Sequence, residues 1–325
     1  MNWKLFALLL FLIFAFTGHG IAKNIVICFD GTGNHPDDAR KLDKDTTNVY
    51  KLKDTLVENS EQVVKYFAGV GTSGWKVWDI KGTYFGLGAK GKRDEAYEFL
   101  EKNYAPGDKL FLFGFSRGAA IARDLANYIF EKGVNGHRQL LIEVLGIWDT
   151  VAAFGIPMDI LGFPTGRIDL GKKLDVPLGG VNQTYHLVSI DETREPYTPT
   201  LVEVADNVEE VWFAGVHADI GGGSPERKLA DITLRFMIER VKKHGLRFDD
   251  TKVSQVSVND DGRGKMHPYD GSIIPTRPRQ IFVRENNSVS KRQPKIHQTV
   301  IDRMRNYEYA PQNLLSLDGN YEIVR

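Results

Sequence analysis

Short runs of apolar residues alternate along this chain with longer segments in which apolar and polar positions recur at helical spacing. The apolar runs predict strands at residues 24–29, 62–67, 109–114, 141–148, 184–190 and 210–215. The amphipathic segments predict helices at residues 93–104, 117–133, 229–245 and 296–307. Strands that alternate with helices in this way predict an α/β fold, in which a mostly parallel central sheet carries helices on both faces.

Two segments do not follow the alternation. Residues 151–180 are rich in glycine and proline but also carry Phe, Ile, Leu and Met, which is the composition of an apolar loop insertion. Such a loop is either a lid over a lipophilic site or a packed irregular excursion. Residues 251–295 are polar and contain proline, and we expect them to form surface loops.

The first 22 residues differ from the rest of the chain. Lys4 is followed by an apolar run from Leu5 to Phe16, and small residues precede the predicted cleavage site. This pattern predicts a signal peptide over residues 1–22, although a retained N-terminal anchor is the alternative; the apolar run is short for a bilayer span. We therefore expect one domain over residues 23–325, exported to the periplasm or secreted.

Composition narrows the classes of function. The chain of 325 residues has 42 Lys+Arg and 42 Asp+Glu, so it lacks the basic excess that is typical of nucleic-acid binding proteins. The single cysteine, Cys28, cannot form an intrachain disulfide. It lies in an apolar run, where we expect it to be a small buried hydrophobic residue. Because the charges balance, no nucleic-acid partner is expected.

The most informative motif is Gly-Phe-Ser-Arg-Gly at residues 114–118, between a predicted strand and a predicted helix. In Gly-x-Ser-x-Gly the serine occupies a tight strand-to-helix turn, and the glycines leave room where a Cβ would collide with a neighbouring element. The turn presents the serine hydroxyl at a helix N-terminus, where the dipole and the backbone N–H groups favour developing negative charge. Ser116 is thus the predicted nucleophile, and the N–H of Arg117 is a predicted oxyanion donor.

A serine nucleophile needs a base, and the base needs an acid that orients it. In this architecture the chain order is serine, acid, histidine. Asp149 directly follows the strand after the nucleophile helix, at the carboxyl edge of a parallel sheet, where ligand sites form. Asp149 is the predicted acid, and a helix cap is the alternative role for it.

Three of the eight histidines compete for the role of base. His217 lies past a strand and before a glycine-rich turn, at the rim of the sheet, where the backbone of that turn leaves space around the side chain. It is the preferred candidate. His186 lies inside a strand, a position typical of a core histidine with satisfied hydrogen bonds. His297 begins the last helix and is the reserve candidate, because the base often comes late in the chain.

The glycine-rich loop at residues 28–34, Cys-Phe-Asp-Gly-Thr-Gly-Asn, follows the first strand, where the second oxyanion donor is expected. Its predicted donors are the N–H groups of Gly31, Thr32 and Gly33. Asp30 is expected to orient this loop or to contact the substrate, and a simple Asx-type turn is the alternative. The same stretch resembles the Asp-x-Asp-Gly-Thr signature of phosphatases, in which the first aspartate is the nucleophile. This chain has Cys28 at that position, two residues before Asp30, so the nucleophilic carboxylate is absent.

These pieces together resemble a known family. The chain is similar to the α/β-hydrolase domain found in type VI secretion phospholipase effectors of the first lipase class and in many bacterial and fungal relatives. The matching stretches, in family order from about residue 24 to 314, are FDGTGN, YFAGVGT, AYEFLEKNYAPGDKLFLFGFSRGAAIAR, LGIWDTVAAFGIP, YHLVSIDETREPYTP, VWFAGVHADIGGG and IHQTVIDRMRNYEYAPQNL. The resemblance implies an α/β-hydrolase fold and the hydrolysis of phospholipid esters. It also implies that Ser116 is the nucleophile, Asp149 the acid and His217 the base.

The leading hypothesis is a serine esterase that cleaves carboxylic esters, phospholipids or other lipid esters, through an acyl-enzyme. His217 would take the Ser116 proton while Asp149 holds the imidazole, so the reaction requires no metal and no organic cofactor. The expected partners are a lipid or small ester substrate and the membrane surface in which lipids lie. The alternative is a catalytically inactive relative that binds a lipid or a cell-envelope partner.

Overall fold

The computed structural model describes residues 22–31, 46–69, 82–138, 140–152, 174–177, 179–256 and 261–325. The predicted signal peptide lies outside these residues except for Ala22, and so does most of the predicted insertion at 151–180. Among the residues described, no helix is both long enough and apolar enough to cross a bilayer.

A parallel sheet of eight strands forms the centre of the described part of the chain. Its strands are β1 (Asn24–Phe29), β2 (Gln62–Phe67), β3 (Lys109–Phe115), β4 (Ile142–Trp148), β5 (Val181–Ser189), β6 (Val208–Phe213), β9 (Lys295–His297) and β10 (Glu322–Val324), and a separate hairpin pairs β7 (Arg284–Glu285) with β8 (Ser288–Val289). The order across the sheet is β10-β9-β6-β5-β4-β3-β1-β2, and every neighbouring pair is parallel. The α/β-hydrolase fold with a mostly parallel sheet is thereby confirmed, and each predicted strand is present.

The helices are α1 (Asn48–Thr55), α2 (Gly82–Asn103), α3 (Arg117–Lys132), α4 (His217–Gly221), α5 (Lys228–Lys242), α6 (Asp250–Ser254), α7 (Gln298–Asn306) and α8 (Gln312–Leu315). The pattern did not predict α1, which begins where the Thr47 hydroxyl accepts the N–H of Tyr50 at 3.2 Å. Helix α2 begins well before the predicted residue 93, because glycines with low helix propensity hide the helical pattern of its first turns.

Alternating side chains of the strands fill two apolar layers, one on each face of the sheet. Ile25 and Ile27 pack in the layer that contains α3, whereas Val26 and Cys28 pack in the layer that contains α1 and α5. Strands buried on both faces explain the nearly continuous apolar runs in the sequence. Cys28 is fully buried as expected, and burial raises the pKa of its thiol.

The prediction of surface loops at 251–295 is wrong for part of that segment. Arg279 and Ile281 are buried there, at 7% and 5% exposed. The reason is that this segment pairs with the loop that follows β5: Arg277 donates its N–H to Thr193 O at 2.6 Å, and Val204 donates to Arg284 O at 2.9 Å. Backbone pairing with a distant loop leaves no periodicity in the sequence.

Candidate active site

Ser116 occupies the turn between β3 and α3 in a strained backbone conformation. Its φ is 56° and its ψ is −121°, values that cost free energy for a residue with a Cβ. Its N–H donates to Trp148 O at 3.0 Å, and its carbonyl accepts the N–H of Val151 at 3.3 Å, so the turn is tied to the end of β4. The hydroxyl makes no capping hydrogen bond to α3. The turn therefore holds Ser116 at the carboxyl edge of the sheet without using its hydroxyl as a helix cap.

The two glycines of the motif are required by close packing. A Cβ on Gly114 would lie 2.5 Å from Gly118 O and 2.6 Å from the Cα of Ala119. A Cβ on Gly118 would collide with the carbonyl oxygens of Phe29 and Asp30, the latter at 2.6 Å. Helix α3 thus begins directly against the end of β1, and this contact brings Asp30, the residue after β1, next to the nucleophile turn.

Asp149 and His217 meet at the same edge of the sheet. Asp149 follows β4 with a φ of 39° and is fully buried, and His217 is the first residue of α4. The Nδ1 of His217 lies 2.5 Å from the Oδ2 of Asp149, while the Oδ1 accepts the N–H of Ser189 at 3.0 Å. The oxygens of Asp149 therefore bind the candidate base rather than cap a helix.

Arg279 is a further partner of Asp149, and one that sequence reasoning missed. Its Nη1 donates to Oδ1 at 2.7 Å and its Nη2 donates to Oδ2 at 2.9 Å, so the pair is bidentate and buried. Burial opposes ionisation of the carboxyl, but the Arg279 charge and the hydrogen bond with His217 hold the pKa of Asp149 well below its usual range. Asp149 is therefore a carboxylate throughout the pH range in which an imidazole acts as a base.

Two aromatic rings hold the His217 imidazole in place. Its ring centroid lies 4.6 Å from that of Phe115, at an interplanar angle of 32°, and 4.9 Å from that of Tyr197, edge-on at 74°. The His217 backbone N–H donates to Oε2 of Glu192 at 3.2 Å. Because Phe115 directly precedes Ser116, the contact with Phe115 keeps the imidazole beside the nucleophile turn.

The segment that contributes Tyr197 is itself held by charge. Arg194 donates to both carboxylate oxygens of Glu192, from Nε at 2.8 Å and from Nη2 at 2.7 Å. The Arg194 guanidinium also lies over the Tyr197 ring, 3.7 Å from its centroid. Burial opposes ionisation of Glu192, but the hydrogen bonds from Arg194 lower its pKa. The segment therefore offers His217 an ordered aromatic contact and a charge-compensated carboxylate.

The two other candidate histidines have different partners. His186 is fully buried, with Nδ1 2.8 Å from Oε2 of Glu210, and its Nε2 accepts the N–H of Thr150 at 3.2 Å. His297 caps α7 by accepting the N–H of Thr299, and burial lowers its pKa to about 4. His186 thus braces the residue that follows Asp149, and His297 stabilises a helix start.

Asp30 accepts three hydrogen bonds where β1 ends. Its Oδ1 accepts the N–H of Gly31 at 2.6 Å, and its Oδ2 accepts the hydroxyls of Thr47 and Tyr66, both at 2.6 Å. Because the Gly31 N–H donates to Asp30, Thr32 and Gly33 remain as the predicted oxyanion donors of the loop after β1. Both lie outside the described residues.

Arg117 is the first residue of α3 and is half-buried. The first N–H groups of a helix have no acceptor within their own helix, which is the reason an oxyanion donor is expected at this position. Burial lowers the pKa of the Arg117 guanidinium to about 10, so the side chain remains a cation at neutral pH. A positive charge and a helix N-terminus thus lie together beside Ser116.

Comparison with known proteins identifies one family over most of the described sheet. The family described as "T6SS, Phospholipase effector Tle1-like, catalytic domain" matches residues 23–141 and 131–240. The matched residues contain the nucleophile turn, Asp149 and His217. This match confirms the resemblance found in the sequence motifs.

Individual relatives match the chain over different lengths. The uncharacterized protein YEL023C of Saccharomyces cerevisiae is 36% identical over 131 residues, which cover 34% of this chain and 18% of the yeast protein. A solved structure of the Tle1 effector bound to the VgrG spike of the type VI secretion system is 25% identical with a TM-score of 0.46, covering 63% of this chain and 51% of that one. An uncharacterized protein from Pseudomonas aeruginosa is 20% identical with a TM-score of 0.53, covering 77% of this chain and 50% of that one, and it shares the fold. The chain thus spans about half the length of these two solved chains.

Proposed function

The chain belongs to the Tle1-like family of type VI secretion phospholipase effector catalytic domains, and from this membership we propose that it is a serine hydrolase of carboxylic esters, with lipid esters as its substrates. One observation carries the proposal. The buried Asp149–His217 pair, with 2.5 Å between Oδ2 and Nδ1, packs against Phe115, which directly precedes Ser116. In a Ser-His-Asp triad a hydroxyl, an imidazole and an orienting carboxylate meet at one place.

The proposed reaction proceeds through an acyl-enzyme. His217 takes the Ser116 proton as the hydroxyl attacks the carbonyl carbon, and Asp149 stabilises the imidazolium that forms. The N–H of Arg117 and the loop after β1 donate to the oxygen that becomes negative. His217 then gives its proton to the departing alcohol, and it deprotonates the water that releases the acyl group.

Hydrolysis of a short p-nitrophenyl ester tests the nucleophile. Replacing Ser116 with Ala is expected to lower kcat by at least about a thousandfold without lowering the melting temperature, since the hydroxyl is not a helix cap. Ser288→Ala, in the exposed β7–β8 hairpin, serves as the control and is expected to turn over like the wild type. Undiminished turnover by Ser116→Ala would remove this residue from the reaction. An inactive wild type that still binds phospholipid vesicles would favour the binding alternative.

The phospholipid preference rests on the family, and it needs its own measurement. Incubation with vesicles of phosphatidylethanolamine and phosphatidylglycerol, followed by chromatography of the lipids, is expected to show lysophospholipid and free fatty acid. Turnover of the p-nitrophenyl ester without any product from the vesicles would limit the proposal to other esters.

We further propose that residues 1–22 direct the chain out of the cytoplasm, since a lysine followed by an apolar run is typical of export signals. Fusion of these residues to a phosphatase that is active only in the periplasm measures export in a Gram-negative host. A fusion that is synthesised but stays inactive would contradict this part of the proposal.

A further inference from the structure

The guanidinium of Arg279 shares the carboxylate of Asp149 with His217. Its side chain is 4% exposed, and its two nitrogens Nη1 and Nη2 lie 2.7 Å and 2.9 Å from the two carboxylate oxygens. No step of the proposed reaction uses Arg279, and it lies beyond residue 240, where the family match ends. The planar fork of an arginine fits a carboxylate in one orientation, which a lysine could not impose.

The same guanidinium also binds the surroundings of the base. Its Nη1 donates to Ser189 O at 2.9 Å, and its Nη2 donates to the carbonyl oxygen of Tyr197, whose ring packs edge-on against His217. One buried side chain therefore fixes both the acid and the aromatic contact of the base.

The charge of Arg279 has a consequence for proton transfer. An imidazolium beside a free buried carboxylate is strongly favoured, because the opposite charges attract in a medium of low dielectric constant. A guanidinium bonded to the same carboxylate compensates part of that negative charge. The attraction that favours the imidazolium is then weaker.

Other carboxylates near His217 have hydrogen-bonding partners of their own. Glu192 is paired with Arg194, and Asp219 is 2.7 Å from the Nδ1 of His267. Further charged or titratable groups around α4 and the nucleophile turn are Arg117, Tyr197, Tyr309 and Asp191. Asp191 accepts the N–H of Gly215. Asp149 is thus the carboxylate bonded to the imidazole, and Arg279 is the cation bonded to Asp149.

We propose that Arg279 is a positioning residue for the Asp149–His217 pair: it orients the carboxylate, and its charge weakens the attraction between that carboxylate and an imidazolium. The catalytic meaning of this inference rests on the proposed function. The charge relation itself is a property of the folded protein that can be measured without a substrate.

Titration of His217 by NMR tests the inference directly. In protein labelled with ¹⁵N-histidine, the His217 signals are assigned from their loss in His217→Gln, and their midpoint is followed in the wild type, Arg279→Gln and Arg279→Lys. Arg279→Gln is expected to raise the midpoint by about one pH unit, and Arg279→Lys by less, since it keeps the charge but loses the fork. Arg123→Gln is the matched control.

Arg123 is a fully buried arginine of α3 that donates to the backbone carbonyls of Leu174, Thr200 and Leu201. Its loss is expected to lower the melting temperature and to leave the His217 midpoint within about 0.2 pH units of the wild type, because it does not bind Asp149. A midpoint that is unchanged or lower in Arg279→Gln would overturn the inference. If that variant does not fold, Arg279→Met removes the same charge, and an unchanged midpoint there would overturn the inference instead.

The pH dependence of ester hydrolysis gives a second readout. The acidic limb of kcat/KM is expected to move with the NMR midpoint in each variant. A wild type without esterase activity would contradict the proposed function and leave the NMR result standing, so the two failures are distinguishable. Lower activity in Arg279→Gln with the acidic limb and the midpoint both unmoved would reduce Arg279 to a structural role.

Discussion

At the scale of the residue, Asp149 combines complete burial with a full negative charge. Burial alone would favour the neutral acid, but its two oxygens face the donors of His217, Ser189 and Arg279. These partners hold the pKa of Asp149 well below its usual range. A carboxylate held in this way gives the imidazole one orientation and one tautomer, with its proton on Nδ1 and its Nε2 available to accept the hydroxyl proton.

Replacing Asp149 with Asn keeps the shape of the side chain and removes the charge. We expect kcat to fall by about ten-thousandfold, because the imidazole loses its orienting partner. The free energy of unfolding is expected to fall by about 3–5 kcal/mol, since Arg279 is left buried without its counter-charge. Steady-state kinetics and urea unfolding measure the two effects.

Asp175→Asn is the control for this variant. The carboxylate of Asp175 pairs with Arg284 near the surface, with 44% of its side chain exposed, so its loss is expected to leave kcat unchanged. An Asp149→Asn enzyme with a rate within tenfold of the wild type would show that Asp149 is not the acid of the reaction.

The sequence could identify some of these residues and not others. Ser116, Asp149 and His217 each follow a predicted strand, and the carboxyl ends of parallel strands lie at one edge. Arg279 lies 130 positions from Asp149 in a stretch of prolines and arginines, Ile-Ile-Pro-Thr-Arg-Pro-Arg-Gln, with no periodicity. Tyr197 likewise stands in an irregular loop. Their roles depend on long-range loop pairing, which leaves no local signal.

At the scale of the element, the start of α3 is fixed by its contact with β1. The absence of a Cβ at Gly118 lets the helix approach the carbonyl oxygens of Phe29 and Asp30. This approach places Asp30, the residue after β1, beside the nucleophile turn. The Gly-x-Ser-x-Gly motif could therefore be interpreted from sequence alone, since its spacing reflects a local constraint.

Gly118→Ala is expected to lower the free energy of unfolding by about 1–3 kcal/mol, because its Cβ would press on backbone that has no room to move. Gly91→Ala is the matched variant in α2, where a Cβ meets no atom within 4 Å. We expect Gly91→Ala to raise the free energy of unfolding by about 0.5–1 kcal/mol through helix propensity. Equal urea midpoints for the two variants would contradict the close contact between α3 and β1.

A second element, the turn between β6 and α4, is braced by Asp191. Its Oδ2 accepts the N–H of Gly215 at 2.7 Å and the hydroxyl of Tyr309 at 2.8 Å. Burial raises the pKa of Asp191 to about 6, and these hydrogen bonds only partly oppose the shift. The turn that precedes His217 therefore rests on a carboxyl that titrates near neutral pH.

This raised pKa gives a definite sign to the pH dependence of stability. Between the unfolded value near pH 4 and the folded value near pH 6, the folded protein binds more protons, so the stability contributed by Asp191 grows as the pH falls through this window. The wild type is expected to gain about 1 kcal/mol over Asp191→Asn between pH 7 and pH 5. Urea unfolding at both pH values measures the difference, and a gain in the opposite direction would contradict the raised pKa.

At the scale of the whole molecule, the residues beyond the family match complete the sheet. Strand β9 pairs with β6 and β10, and a third apolar cluster joins Trp212 of β6 to Ile296 of β9 and Val300 of α7. The α/β class and the central strands could be predicted because strands buried on both faces give continuous apolar runs. The edge strands β9 and β10 could not, since three residues are too few for a periodic pattern.

Two isoleucines that are neighbours in the β9–β10 register measure this packing. Ile296 is fully buried, whereas Ile323 is 46% exposed. We expect Ile296→Ala to lower the free energy of unfolding by about 2–5 kcal/mol and Ile323→Ala to change it by less than about 0.5 kcal/mol. Denaturant unfolding distinguishes them. Equal small losses would mean that the last strands contribute little to the stability of the folded protein.

The proposed reaction depends on activation of the Ser116 hydroxyl by the Asp149–His217 pair. Labelling with a fluorophosphonate, followed by mass spectrometry of the digested protein, measures this activation, since only an activated serine reacts quickly with the probe. We expect one phosphonyl group, on Ser116, and at least a hundredfold slower labelling of a folded His217→Gln variant. Labelling on another residue, or an equal rate in both proteins, would contradict the proposed activation.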